Sequence, residues 1–451
     1  MRNRGVRRSR WLSLPLAATS VSLVAVPVSA LVTPAVTAGA SSSGFGVNAT
    51  GTVQFWNRAA TCQGNLCKVL VNEFNATHKG LKVVLSLTTP NEAVPKLSTA
   101  IRAGTVPDVV GLNDINVPVF SREGALFDLT PYVDALPYKK NLSPGHLALT
   151  EYQGHYYGVP YLADLSVLWY NKTLFKQAGL NPSQPPTSFA QILSDAKKIQ
   201  ALGHGVYGFS FAGDCQGCLG FVMQPDLWAI GDNLITGPIG HQKINIANNK
   251  PLAELLQLYR SIWADKLAPA NDQTDNGSTW GADFEAGTIG ILPGAYGFLP
   301  GIVKAGMTRN HSVGIAPLPG PTGGYSTFDG GDDFIIPKGA KNPSGAWEFI
   351  TWVLEKQQQL IYASHGYTPV RTDILTPSYY RTNPWNAVAL QALAHGVAPV
   401  TTIYNAAFNA PGSPWYQMFT QAVYKGDIVG ALKTGQSGFE AVAREAGDLA
   451  P

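Results

Sequence analysis

Four cysteines stand in two close pairs, Cys62 with Cys67 and Cys215 with Cys218. In an oxidising compartment such spacing closes two local disulfides. Cys215-Gln216-Gly217-Cys218 also has the spacing of a redox pair or of half a zinc site. A redox motif of this type opens a helix after a strand, whereas this one reads as a loop rich in glycine and aspartate, and zinc would need the second pair to come close in space. A loop clasp is the preferred reading. Among the acids, Asp164, Glu285, Asp332 and Asp333 are raw material for a carbohydrate hydrolase, which needs two carboxyl groups of different protonation flanking one bond. No local signature of a general acid accompanies them, and acids at a cleft also serve to bind hydroxyls. The chain carries no GxSxG elbow, no phosphate-binding glycine loop and no HExxH helix, so acyl transfer, nucleotide chemistry and zinc proteolysis lack their motifs. Neither a cofactor nor a metal is expected.

The elements that must position these groups alternate. Val53 and Phe55 share one face of a short strand, Leu66, Val69, Leu70 and Phe74 recur at helical spacing, and Val83, Leu85 and Leu87 restore the period of two. Val94, Leu97 and Ile101 mark a second helix that stops at Gly104, and Val109 to Leu112 reads as a buried strand. This is the opening of an open α/β sheet. In such sheets ligands lie beyond the carboxyl ends of the strands, here at Trp56-Asn57 and Asn113-Asp114. Further helices are predicted from about Phe189 to Leu202, Leu252 to Trp263 and Ala346 to Leu360, with Trp347 and Trp352 read as packing residues. Asp108, after Pro107, reads as a turn residue.

The chain begins with Arg2, Arg4, Arg7, Arg8 and Arg10, runs through an apolar stretch from Trp11 to Val36 and reaches Ala38-Gly39-Ala40. This is the build of a secretory signal, residues 1–40, followed by a flexible leader over 41–51. Cleavage after Ala30 also fits, and Arg7-Arg8 is a weak twin-arginine hint. Pro15, Pro27 and Pro34 make the stretch a poor spanning helix, so cleavage is preferred to a retained anchor. The 32 basic and 29 acidic residues give +3, but without the five leading arginines 27 and 29 remain, about −2. That balance argues against nucleic acid or an anionic membrane as partner. With 14% charged residues, 10 Trp and 18 Tyr, the composition suits a neutral polar ligand met through aromatic surfaces.

Several pieces then fall into a recognisable order: Val53-Gln54-Phe55-Trp56, Asn72-Glu73-Phe74-Asn75, Ala103 to Val110, Gly124 to Leu129, Tyr157-Gly158-Val159-Pro160-Tyr161, Trp169-Tyr170-Asn171-Lys172, Phe284 to Ile291, Ala316 to Gly320 and Gly366 to Arg371. Together they resemble the extracellular solute-binding proteins of ABC sugar importers, the broad maltose- and trehalose-binding family. The resemblance implies a two-lobe, periplasmic-binding-protein-like α/β fold, each lobe an open sheet, joined by crossing hinge strands. It places the first lobe at 52–163 and 291–329 and the second at 164–290 and 330–451. It implies a monomer, periplasmic or secreted, that closes on a mono- or oligosaccharide and meets the permease subunits transiently. Gram-positive members usually carry a lipidated cysteine after the signal, and none lies near Ala40, which argues against a lipid tether.

The same resemblance supplies site residues. A pyranose needs aromatic platforms for its C–H face and carboxylates, amides or a guanidinium for its hydroxyls. The candidates are Trp56, Asn57, Asn113 and Asp114 in the first lobe, Asp164 at the crossing, and Trp228, Trp280, Tyr296, Gly331, Asp332 and Arg371. For Asp164 and Arg371 the plain alternative is a buried ion pair at the hinge, and for Trp228 and Trp280 it is core packing. Asp333 is expected to point away from Asp332 into solvent. The Cys215–Cys218 loop is a candidate to shape selectivity. A polyamine would call for more acids with aromatics between them, and a glycerol phosphate for more Arg and Lys near the cleft. Neither pattern stands out, so a sugar leads over both.

Overall fold

A computed structural model of the chain describes residues 44–62, 65–309, 311–376, 378–379, 385–393 and 395–451. The signal, with both of its cleavage positions, lies outside the described residues. The expected leader is docked from residue 44 onward. Phe45 stacks on Tyr132 with ring centroids 4.0 Å apart, and the Gly46 and Ala49 N–H groups donate to Ser344 Oγ and Glu348 Oε2 at 2.9 and 2.6 Å. An aromatic ring that can leave water for an aromatic surface offsets the entropy of ordering this short segment.

The alternation near the start produces strand β1 (Gly51–Arg58), helix α1 (Leu66–Thr77), β2 (Leu81–Thr88), α2 (Pro90–Ala103) and β3 (Val109–Asn113). Val53, Phe55 and Asn57 are buried on one face of β1 while the residues between them are more exposed. β1 is parallel to both β2 and β3. A single long strand, β4 (Val159–Asn171), follows, then α3 (Phe189–Gln200), β5 (Tyr207–Phe209), α4 (Gln216–Trp228) and α5 (Lys250–Ala264). β6 (Ile289–Ala295), β7 (Val313–Ala316) and β8 (Tyr325–Ile335) complete the main sheet, and α6 (Pro343–Val353), α7 (Lys356–Ser364), α8 (Pro414–Val423) and α9 (Ile428–Glu445) close the chain. The sheet order is β2-β1-β3-β8-β4-β6-β5, with β7 also on β4 and two short strands on β8.

β4 and β8 are the strands that pass between two cores. Val159 to Leu165 of β4 pairs antiparallel with β8, whereas Ser166 to Asn171 pairs with β6 and β7. The first core gathers Val53, Phe55, Leu70, Phe74, Phe334, Phe349 and Ile350. The second gathers Phe175, Ile192, Phe209, Leu255, Tyr259, Phe419 and Phe439, flanked by a cluster of Val167, Trp169, Ile289, Leu292 and Val313. Thus residues 291–316, within the 291–329 expected with the first lobe, pair and pack with the second. Conversely α6 and α7, expected on the second lobe, pack on the first, because the apolar stripe of Trp347, Ile350 and Val353 belongs to the first core and Phe349 meets Phe55 and Phe74. The predicted single helix from 346 to 360 is broken at Leu354-Glu355, where Glu355 starts the second helix. Trp347 and Trp352 pack as expected. Among the described residues no helix is long and apolar enough to cross a membrane.

Candidate ligand-binding site

The carboxyl ends of β1 and β3 deliver Arg58, Thr61, Asn113 and Asp114 to a cavity of about 370 Å³. β4 adds Leu162 and Asp164, and β8 adds Phe328, Gly330, Gly331 and Asp332. From the second lobe come Cys215, Gly217, Cys218 and Phe221 of the α4 region, Trp280, Ala295, Tyr404 and Asn409. Tyr367 completes the wall from the turn after α7. The volume lies in the range of small-molecule sites, and the lining has their character, apolar rings with a few polar groups.

Arg58 holds the floor together. Its Nε donates to Asp332 Oδ2 at 3.0 Å and its Nη2 to Asp332 Oδ1, a forked pair whose carboxylate is fully buried. Tyr161 Oη lies 3.1 Å from Asp332 Oδ2 and 3.0 Å from Asn57 Oδ1, so its single proton serves one of two acceptors. Tyr161→Phe is expected to lower the unfolding free energy by about 1.5–3 kcal/mol in urea titrations, the range for a hydrogen bond to a charged group. Asn113 Nδ2 donates to the Gly331 carbonyl at 2.9 Å and ties β3 to β8 beside the cavity. Only glycine fits at 331, since a Cβ there would stand 2.1 Å from the Leu162 carbonyl oxygen.

The remaining carboxyl groups are held toward their neutral forms. Burial pushes Asp164 up to about 6, against the opposing pull of the Gly297 N–H and the Arg58 charge. Asp114 is raised well above the usual range by burial and by Asp333 and Asp332. Its Oδ1 accepts from the Ile115 N–H at 2.7 Å, while Oδ2 is buried with no hydrogen-bond partner among the described residues. Trp280 Nε1 is a buried donor in the same state. Asp333, expected in solvent, is fully buried with both oxygens unpartnered among the described residues, and burial and the Asp332 charge raise it well above the usual range. The physical reason is that β8 is a central strand buried on both faces, so the side opposite Asp332 meets protein and not solvent.

Six of the candidate residues converge on the cavity: Asn113, Asp114, Asp164, Trp280, Gly331 and Asp332. The other five lie elsewhere. Trp56 faces a separate shallow groove under the Lys96 ammonium, 4.0 Å from its ring. Asn57 is buried beneath the floor, accepting from the Arg58 N–H at 2.8 Å. Trp228 packs behind the wall on Phe328 at 5.3 Å. Tyr296 is buried, stacked on Trp169 and bonded to Asn386. Arg371 forks onto Asp373 at 3.0 and 2.7 Å and lies over the Tyr138 ring. Arg371 therefore pairs with Asp373 and not with Asp164, because a carboxylate two residues along the chain satisfies the guanidinium locally. Glu285, a candidate acid for hydrolysis, is not among the lining residues. Asp108 accepts from the Gln54 and Asn342 N–H groups, joining β1 to the start of α6.

Both cysteine pairs are disulfides, Cys62–Cys67 and Cys215–Cys218, which removes their sulfurs from zinc ligation. The expectation of a loop at 215–218 is corrected. Cys215 caps the first turn of α4, its Sγ accepting from the Cys218 N–H at 3.2 Å, and β5 precedes it in the chain. Arg58, Phe221, Phe328 and Tyr404 were missed by the sequence reading. Arg58 had a signal, since it stands one residue past the predicted strand-end pair and on the face opposite Phe55.

The profile of the family described as bacterial extracellular solute-binding protein matches residues 66–360. The sn-glycerol-3-phosphate-binding periplasmic protein UgpB of Agrobacterium fabrum is 27% identical over 335 residues, covering 70% of this chain and 74% of its own. Among solved structures, the GacH receptor of Streptomyces glaucescens, studied unliganded and with acarbose, superposes with a TM-score of 0.76 at 21% identity, covering 88% of this chain and 99% of its own. UgpB of Mycobacterium tuberculosis in complex with glycerophosphocholine gives 0.73 at 24% identity, with the same coverage. These likenesses establish a shared two-lobe α/β fold.

Proposed function

This chain belongs to the family of bacterial extracellular solute-binding proteins, and from that premise we propose that it captures a saccharide between its lobes and delivers it unaltered to an ABC permease. One observation carries the reading. The cavity sets Trp280, Phe221, Phe328 and Tyr404 beside two buried polar atoms, Asp114 Oδ2 and Trp280 Nε1, that no protein group satisfies among the described residues. A pyranose presents what such a wall lacks, C–H faces for the rings and hydroxyls that both donate and accept. The protein works outside the cytoplasm as a monomer, its lobes closing about β4 and β8, and the closed form is what the permease recognises.

A second reading, a glycerol phosphate, has support in the relatives named for sn-glycerol 3-phosphate and solved with glycerophosphocholine. Charge weighs against it. Arg58 is the basic residue among the described lining residues, and Asp332 already occupies it, so a phosphate would leave water without a free cation to receive its charge.

Thermal unfolding against maltose, maltotriose, trehalose, spermidine, sn-glycerol 3-phosphate and glycerophosphocholine tests the proposal. One sugar is expected to raise the stability by about 2.7 kcal/mol at a hundred times its Kd and to be recovered intact by chromatography. A shift with the controls alone changes the cargo, and cleavage products turn the binder into a hydrolase. Trp280→Ala is expected to weaken the responding sugar by roughly thirty-fold in calorimetric titration, the scale of a central aromatic anchor.

A further inference from the structure

We infer that the Cys215–Cys218 disulfide is a positioning element of the ligand cavity, clasping the segment that carries Trp280 and so fixing where the indole stands. The inference rests on the reading of this cavity as the ligand site. Both cysteines line the cavity, whereas Cys62 and Cys67 do not. The segment from Asp272 to Trp280 is laced to the start of α4 by main-chain bonds. Gly213 N–H donates to the Asp272 carbonyl at 2.8 Å and Asp214 N–H to the Asp275 carbonyl at 2.9 Å. Asp275 Oδ1 in turn accepts from the Gly277 and Thr279 N–H groups at 2.9 and 3.3 Å, folding the segment into a tight turn.

Gly277 is the point of contact with the sulfurs. It has φ +91°, and a Cβ there would lie 3.0 Å from both Cys215 Sγ and Cys218 Sγ. Glycine is thus required both by the backbone and by the closeness of the disulfide. Three residues later Trp280 stands edge-on to Phe298 at 5.0 Å, with its Nε1 buried. No hydrogen bond of its own anchors the indole nitrogen among the described residues, so its place depends on its packing against Phe298 and on the turn behind it. A disulfide closing so short a loop restrains the unfolded chain less than a long-range bridge would, which points to local geometry as its main contribution.

The variant Cys215→Ser/Cys218→Ser removes the bond and keeps a favoured helix cap at 215. The first readout needs no ligand: the indole N–H resonance of Trp280, assigned through Trp280→Phe. It is expected to shift in this variant and to stay in place in Cys62→Ser/Cys67→Ser. The second is a double-mutant cycle read by maltotriose titration. Loss of the disulfide is expected to weaken binding by about ten-fold in the native background and by less than about two-fold when Trp280 is alanine. An unmoved resonance, or full additivity in the cycle, overturns the inference. If no sugar in the panel binds, the saccharide reading falls while the resonance still decides this one. Should the serine pair fail to fold, the same resonance is followed in the wild-type protein as dithiothreitol reduces the bond, with retained circular dichroism as the check on folding.

Discussion

Arg58→Ala is expected to lower the free energy of unfolding by about 3–5 kcal/mol at neutral pH, the range for removing one partner of a buried ion pair. The size follows from what stays behind. Asp332 is fully buried on β8, and the guanidinium is the cation that forks onto it. Its remaining donor, Tyr161 Oη, is uncharged and supplies one hydrogen bond that Asn57 also draws on. Arg58→Ala/Asp332→Asn should recover part of the loss, because an amide needs no counter-ion and can still accept from Tyr161. Urea unfolding of the three proteins measures this, and a cost under about 1 kcal/mol for Arg58→Ala would show that the pair is solvated and contributes no more than a surface bridge.

The second large effect concerns pH. Asp272 is buried, accepts from the Phe211 N–H at 2.9 Å and is pushed up to about 7 by burial, with hydrogen bonds from Phe211 and Ser210 opposing and the Asp275 and Asp283 charges adding. In the unfolded chain the same carboxyl ionises near 3.8. The unfolded state therefore loses its proton first as pH rises. The stability tied to this group is whole below about pH 4 and is lost as pH climbs through about 7. Some three pH units correspond to about 4 kcal/mol. Asp272→Asn should flatten this decline, so that the wild-type protein loses several kcal/mol more than the variant between pH 4 and pH 7. Parallel slopes for the two proteins would show that Asp272 ionises freely in the fold.

The first lobe's opening was legible because its periods are clean. Val53 and Phe55 fix β1, the helical stripe from Leu66 to Phe74 fixes α1, and the strand-end rule leads to Asn113 and Asp114. The same rule failed at Trp56, whose ring turns onto the α2 side under Lys96. Asp333 was misread because β8 is a central strand buried on both faces, and an acid in the sequence does not announce that its outer side is covered. Tyr404 and Asn409 belong to a stretch around a short π-helical turn, Asn405–Asn409, where no simple period exists to read. The packing of α6 on the first lobe was missed for another reason. Its stripe says that it is buried but not against which sheet, and only the second crossing at β8 returns the chain to the first core.

That crossing also constrains the order in which the molecule can assemble. Asn113 on β3 binds Gly331 on β8, 218 residues later, and the first core further requires Phe349 and Ile350. While a ribosome is still adding the second lobe, β3 has β1 on one side and nothing on the other. An unpaired strand edge of this kind is a template for unwanted pairing with other chains, and closing it demands a contact of very long sequence separation, the slow kind. The nascent chain thus has no finished half to set aside. Both lobes are completed late, by strands and helices from the last third of the sequence, and a chain stopped short of residue 350 would possess neither.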